Sequence, residues 1–234
     1  MGYLICVNTL GTINKIKPMD NENHFFRFGC EKELALELCL YLEKEIARIL
    51  KMKKFCNIMV PGGNSPIVFF KQFSKSCVHW EKVKIFLSDE RFLPKNHTNR
   101  NDKNFSDNFS FSGNHPVFHN IPVELGLDKG ISSYRKILDN ESMDIVVLGL
   151  GEDGHIASLF PNCNSLNSSE SCFIVRNSAK LPKKRISVGM TTIRRASKRI
   201  ILVIGKSKRK LLEEMHPNPS KPFTLVGNAD FYIA

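Results

Sequence analysis

The sequence predicts an α/β fold: three αβα layers around a mostly parallel, Rossmann-like central sheet. Short apolar runs recur along the chain, separated by segments with helical periodicity. That alternation is the pattern of a parallel sheet covered on both faces. Glycine-rich turns directly follow two of the apolar runs, and turns after the strands of such sheets are where ligands collect. With 234 residues, 42% of them apolar, the chain can bury one substantial core. No internal repeat or low-complexity linker divides it, so residues 1–234 are read as a single domain.

Taken in order, "EKELALELCLYLEKEIARIL" (31–50) sets Leu34, Leu38, Leu42, Ile46 and Leu50 on one stripe at i, i+4 spacing, an amphipathic helix. "FCNIMV" (55–60) is a short buried strand. After the turn "PGGNS", Ser65 is expected as N-cap and Pro66 as the first helical residue of "PIVFFKQF". Further strands are expected at "VKIFLS" (83–88), "DIVVLGL" (144–150), "RISVG" (185–189) and "RIILVIG" (199–205). From Pro94 to about Pro122 the chain is rich in Asn, Ser, His and Phe without clear period, and mainly loop with short helices is expected.

No apolar stretch approaches the roughly 18 residues that span a bilayer, and the opening "MGYLICVNTLGTINKIKP" lacks a basic segment ahead of a long apolar one. A soluble, cytoplasmic protein with no membrane partner is expected. The seven cysteines are odd in number, scattered and without a C-x-x-C pair, so they read as reduced and structural, with no metal centre. Lys and Arg outnumber Asp and Glu by 34 to 23, a net charge of +11 that favours anionic partners. The densest runs, "KMKK" (51–54), "KLPKKR" (180–185) and "KSKRK" (206–210), have no interleaved aromatics and fit no nucleic-acid module. They read as solvated surface, and no nucleic-acid partner is expected; a small phosphorylated substrate needs only a few of these charges.

Four places after strands carry candidate chemistry. In "PGGNSP", Gly62 and Gly63 let the backbone approach a ligand and the following helix N-terminus offers unpaired N–H groups to an anion; a double-glycine turn is equally a plain turn. In "LSDERFLP", Asp89, Glu90 and Arg91 follow a strand, either as a solvated turn or with Arg91 presenting its fork to a phosphate, held by a neighbouring acid. In "VVLGLGEDGHIASLF" the spacing G-x-G-x-x-G of Gly149, Gly151 and Gly154 suggests a dinucleotide turn, but no acidic residue follows the next strand to hold a ribose. The same turn sets His155 beside Asp153, a general base next to a carboxylate. Arg185 and Lys208 flank two late strands, as surface charges or as further phosphate contacts.

Together these places resemble the 6-phosphogluconolactonases of the sugar-phosphate isomerase and deaminase-like superfamily. That family's G-G-S-T-P turn appears as Gly62, Gly63, Asn64, Ser65 and Pro66, its D-E-R-x-x-P as Asp89, Glu90, Arg91 and Pro94, and its G-x-G-x-D-G-H-x-A-S-L-F-P is intact from Gly149 to Pro161. Weaker matches are Asn101, Arg185, and Gly205 with Lys208, so the likeness spans about residues 30 to 210. Asn64 and Arg100 stand where Ser is usual, and the tail after Met215 lacks a closing motif. The resemblance implies hydrolysis of a sugar-phosphate lactone without cofactor or metal. His155 would be the general base and Asp153 its orienting carboxylate. Gly62, Gly63, Asn64, Ser65, Asp89, Arg91, Arg185 and Lys208 would bind the substrate and its phosphate. Two alternatives share the fold. A glucosamine-6-phosphate deaminase-like isomerase needs a glutamate five residues after the histidine, where this chain has Phe160. A sugar-phosphate sensor would normally append a helix-turn-helix, for which the residues before the first helix are too few and too irregular.

Overall fold

A computed structural model of the protein describes residues 4–6 (backbone only), 23–110, 113–213 and 220–234. Most of the opening stretch, and Met215 itself, lie outside the described residues. The elements run β1 (Leu4–Cys6), β2 (His24–Arg27), α1 (Glu31–Leu50), β3 (Cys56–Val60), α2 (Ile67–Phe73), β4 (Val83–Leu87), β5 (Asp89–Arg91), α3 (Asn101–Asn108), β6 (Val117–His119) and α4 (Leu127–Asp139). There follow β7 (Ile145–Gly149), β8 (Cys172–Val175), β9 (Arg185–Val188), α5 (Met190–Arg195), β10 (Lys198–Val203), α6 (Lys206–Glu213) and β11 (Asp230–Ile233).

Among the described residues eight strands form one parallel sheet in the order β1-β2-β11-β10-β7-β3-β4-β6. β3 and β4 are near-continuous apolar runs with almost every residue buried, as expected where both faces of a parallel sheet are covered. α1 buries Leu34, Leu38, Leu42, Ile46 and Ile49 on one stripe, with Leu50 half-buried at its end, and packs against α2. From β3 the chain proceeds outward to β4 and β6, whereas β7, β10 and β11 proceed the other way. β3 and β7 are therefore the switch point, and because they are parallel their carboxyl ends open at the same edge of the sheet.

Three expectations are corrected. "RISV" is not in the main sheet, and Asp89, Glu90 and Arg91 are not a turn: β5, β9 and β8 form a separate antiparallel sheet, with Asp89 opposite Ser187 and Arg91 opposite Arg185. The physical reason is that the chain leaves β4 at Ser88, whose carbonyl accepts the Val188 N–H, and so begins a second ladder immediately. Ser65 does not cap α2. The helix starts at Ile67 with Pro66 as its cap residue, and the Ser65 hydroxyl instead accepts the Lys208 ammonium. Between Pro94 and Pro122, α3 is the expected short helix, and β6 adds an edge strand.

Candidate active site

The turns after β3 and β7 form two walls of a cleft of about 270 Å³ at the switch point. His155, Gly62, Gly63, Asn64, Ser65, Asp89, Arg91, Arg185 and Lys208 all line it, with Asn101, Glu152, Ala157, Lys180 and Leu181 among the others. Asp153 does not line the cleft; it stands behind His155.

The histidine wall is a local construction. Gly154 takes φ +86°, and Ala157 is held in the left-handed region at φ +48°, a conformation that costs a residue with a side chain about 1–2 kcal/mol. These two reversals fold residues 150–159 back on themselves. The Gly151 N–H donates to the His155 carbonyl at 2.8 Å and the Gly154 N–H to the Gly151 carbonyl at 3.0 Å. A Cβ on Gly151 would sit 2.0 Å from His155 Nδ1, so only glycine leaves the imidazole its place. Nδ1 is hydrogen-bonded to Asp153 Oδ1, and the His155 N–H donates to the same oxygen at 3.3 Å. Phe160 packs on the ring with centroids 4.7 Å apart. Burial pushes the Asp153 carboxyl up, but the hydrogen bonds and charge of His155 outweigh it and hold the group down at about 2. An ionised Asp153 fixes the tautomer with the proton on Nδ1, leaving Nε2 with its lone pair.

The opposite wall is assembled from distant segments. Side chains alternate along β5, so Asp89 and Arg91 share one face, toward the cleft, while Glu90 points the other way, to the N-terminus of α3. Asp89 accepts Asn101 Nδ2 at 3.0 Å and the Ser158 hydroxyl at 2.6 Å, tying this wall to the histidine turn. Gly63, at φ +80°, donates its N–H to Asn101 Oδ1 at 3.1 Å, and a Cβ on Gly62 would lie 2.0 Å from Asn101 Cγ. Arg91 lies beside this turn: its Nη1 donates to the Asn99 carbonyl at 2.9 Å, and its Nε is buried without a partner among the described residues. Lys208, drawn down from the usual lysine value by burial, reaches Ser65 Oγ at 2.8 Å.

Arg185, which lines the cleft, also braces its rim. Its guanidinium donates to the carbonyls of Pro182, Lys180 and Leu181 at 3.1–3.2 Å and lies 5.5 Å above the Phe160 ring. It pins the 180–182 segment on the rim of the cleft, which brings Lys180 to the site. Lys180 was legible only as the first residue of a basic run read as solvated surface; Glu152 sits inside the glycine turn with no signal of its own. Among the described residues no group of three or more His, Cys, Asp or Glu side chains is arranged to hold a metal ion.

The parallel α/β sheet thus opens at its switch point into a cleft that sets a carboxylate-held histidine against glycine amides and cations, the place where sheets of this class bind ligands. The chain belongs to the family of glucosamine-6-phosphate isomerases and 6-phosphogluconolactonases, which matches residues 30–232. It is 29% identical over 224 residues to a protein of Caenorhabditis elegans named as a putative 6-phosphogluconolactonase, covering 88% of this chain and 80% of that one. It is 28% identical over 194 residues to the human GDH/6PGL endoplasmic bifunctional protein, covering 77% of this chain but spanning only 24% of that longer protein. A crystal structure of a 6-phosphogluconolactonase from Shewanella baltica superposes with a TM-score of 0.84 at 21% identity, covering 93% of this chain and all of the other.

Proposed function

We propose that the protein hydrolyses 6-phospho-D-glucono-1,5-lactone to 6-phosphogluconate, with His155 as general base. The observation that carries this reading is the pairing of His155 with Asp153 on one wall of a cleft whose other wall carries Arg91 and the Gly62–Gly63 turn. Nε2 takes a proton from water as the water oxygen bonds to the lactone carbonyl carbon. The tetrahedral adduct then collapses, the bond from that carbon to the ring oxygen breaks, and the protonated His155 returns its proton to the departing oxygen. Water and lactone balance the product, and no atom changes oxidation state.

The anion wall supplies grip and orientation. Arg91 stands directly opposite Arg185 across the small sheet; like charges so placed repel, and a bound phosphate would offset that cost. Since Arg185 already serves three carbonyls, Arg91, Lys208 and the amides of the glycine turn are the groups we assign to the phosphate, with Lys180 at the rim. Asp89, on the same face of β5 as Arg91, braces Asn101 and Ser158 from within the cleft lining. The isomerase alternative is disfavoured by Phe160, which packs on His155 where a glutamate would have to move a proton. We place the reaction in the cytoplasm, where the odd-numbered, scattered cysteines would stay reduced.

The test is hydrolysis of freshly made 6-phosphogluconolactone followed against its spontaneous opening. Acceleration in proportion to enzyme, with unphosphorylated gluconolactone a much poorer substrate and inorganic phosphate competing, is the expected result. No acceleration, or equal turnover of the two lactones, would overturn the reading.

A further inference from the structure

Arg100 is one of the largest fully buried side chains among the described residues, with none of its side chain exposed, yet it carries a charge and touches nothing in the cleft. Its Nε and Nη2 form a bidentate pair with Asp102 at 2.8 and 2.6 Å, Nη2 also reaches Glu124 Oε2 at 3.0 Å, and Nη1 lies 3.4 Å from the Leu93 carbonyl. Glu90, on the hidden face of β5, completes the cluster with Oε2 3.9 Å from Arg100 Nε. That buried carboxylate accepts three backbone N–H groups, from Arg91 at 2.6 Å and from Asn101 and Asp102 at 2.8 Å. Burial above all, with the nearby Asp102 charge, holds Glu90 up at about 8 although its three backbone hydrogen bonds draw it down, and Arg100 is the cation that this group of acids surrounds.

The residues on either side of Arg100 bond to the anion wall. The Asn99 carbonyl receives the Arg91 guanidinium, and the Asn101 side chain holds the Gly63 N–H and Asp89. One buried guanidinium thus anchors the short segment that sets both components of the anion wall, and it makes no comparable bond to the His155 turn. We propose that Arg100 is a positioning residue for substrate affinity: with Glu90, Asp102 and Glu124 it fixes the 99–101 segment, and thereby the placement of Arg91 and of the Gly62–Gly63 turn around the phosphate. This rests on the lactonase reading for its substrate but not for its geometry.

The prediction is a split between affinity and turnover. Arg100→Lys keeps a charge but cannot make the bidentate fork. It should raise the Kd for 6-phosphogluconate and for inorganic phosphate, measured calorimetrically, and the KM for the lactone, each by about tenfold, with kcat within about twofold. Glu124→Gln, at the more exposed end of the cluster, should move the same constants in the same direction by about two- to threefold, and it decides the question if the Arg100 variant does not fold. A lowered melting temperature with unchanged Kd and KM in folded variants would make Arg100 merely structural and overturn the proposal; so would a fall in kcat with affinity intact. If the unaltered protein binds 6-phosphogluconate but opens no lactone, the hydrolase reading falls while the Kd ratios still decide the role of Arg100. If it binds neither 6-phosphogluconate nor phosphate, the anion wall is misassigned and both fall.

Discussion

The turn that carries His155 is held mainly by bonds among residues 150–159 and by Asp153 two positions away, whereas the wall facing it draws on the turn after β3, on β5, on the 99–101 segment and on α6. On the first wall the construction is local: two backbone reversals and one short-range carboxylate place an imidazole. On the second it is non-local, since Arg91 and Gly63 are placed by residues 8 and 38 positions further along the chain. The difference teaches that the two functions should fail separately, turnover through the histidine turn and affinity through the anion wall.

Substitutions that add a single methyl group on either side test this most sharply. In Gly151→Ala the new Cβ would have to displace the His155 ring from 2.0 Å. A reacting group misplaced by about an ångström costs on the order of 10²-fold, so kcat should fall by about that factor while 6-phosphogluconate still binds, as steady-state kinetics and calorimetry would show. Arg91→Ala removes a charged contact from the other wall and should weaken binding by roughly 1.5–3 kcal/mol with a smaller effect on kcat. Gly62→Ala drives its methyl group into Asn101 and should raise the same Kd by about tenfold. A turnover defect in Gly62→Ala equal to that of Gly151→Ala would erase the distinction between the walls.

The smallest expected effect is on stability against acid. The Asp153 carboxyl is held at about 2 in the folded protein, below its ordinary value of 3.8. A depressed acid adds stability above its unfolded value and loses it as pH falls through the folded one. Acid unfolding of Asp153→Asn, followed by circular dichroism, should therefore depend less steeply on pH between about 4 and 2 than that of the unaltered protein. Equal slopes would mean that the His155–Asp153 bond adds nothing to folding.

What could be read from the sequence follows the same division. β3, β4, β7 and β10 are near-continuous apolar runs and α1 a clean stripe, so periodicity alone marks them. α4 escapes because its buried face is only Gly130, Ile131, Tyr134 and Leu138, diluted by two serines. A glycine is needed there because a Cβ at residue 130 would meet the Pro122 carbonyl at 2.8 Å. β2 and β11 are four-residue strands near the ends of the chain, and they show themselves only when paired, with Phe25 stacked on Phe231 and Phe26 on Tyr232. At the site, the glycine turn with His155 and Asp153 was legible because its bonds are short-range. The bracing roles of Arg185 and Arg100 were not, because each depends on carbonyls or carboxylates that the fold brings to it.

The most direct measurement is His155→Ala, with kcat for 6-phosphogluconolactone and Kd for 6-phosphogluconate determined on the same folded sample. A general base contributes on the order of 10²–10⁴-fold, so kcat should fall by that factor, while Kd, set by the opposite wall, should stay within about twofold. A folded His155→Ala protein that kept full lactonase activity would place the base elsewhere, and one that lost binding together with turnover would contradict the separation of the two walls.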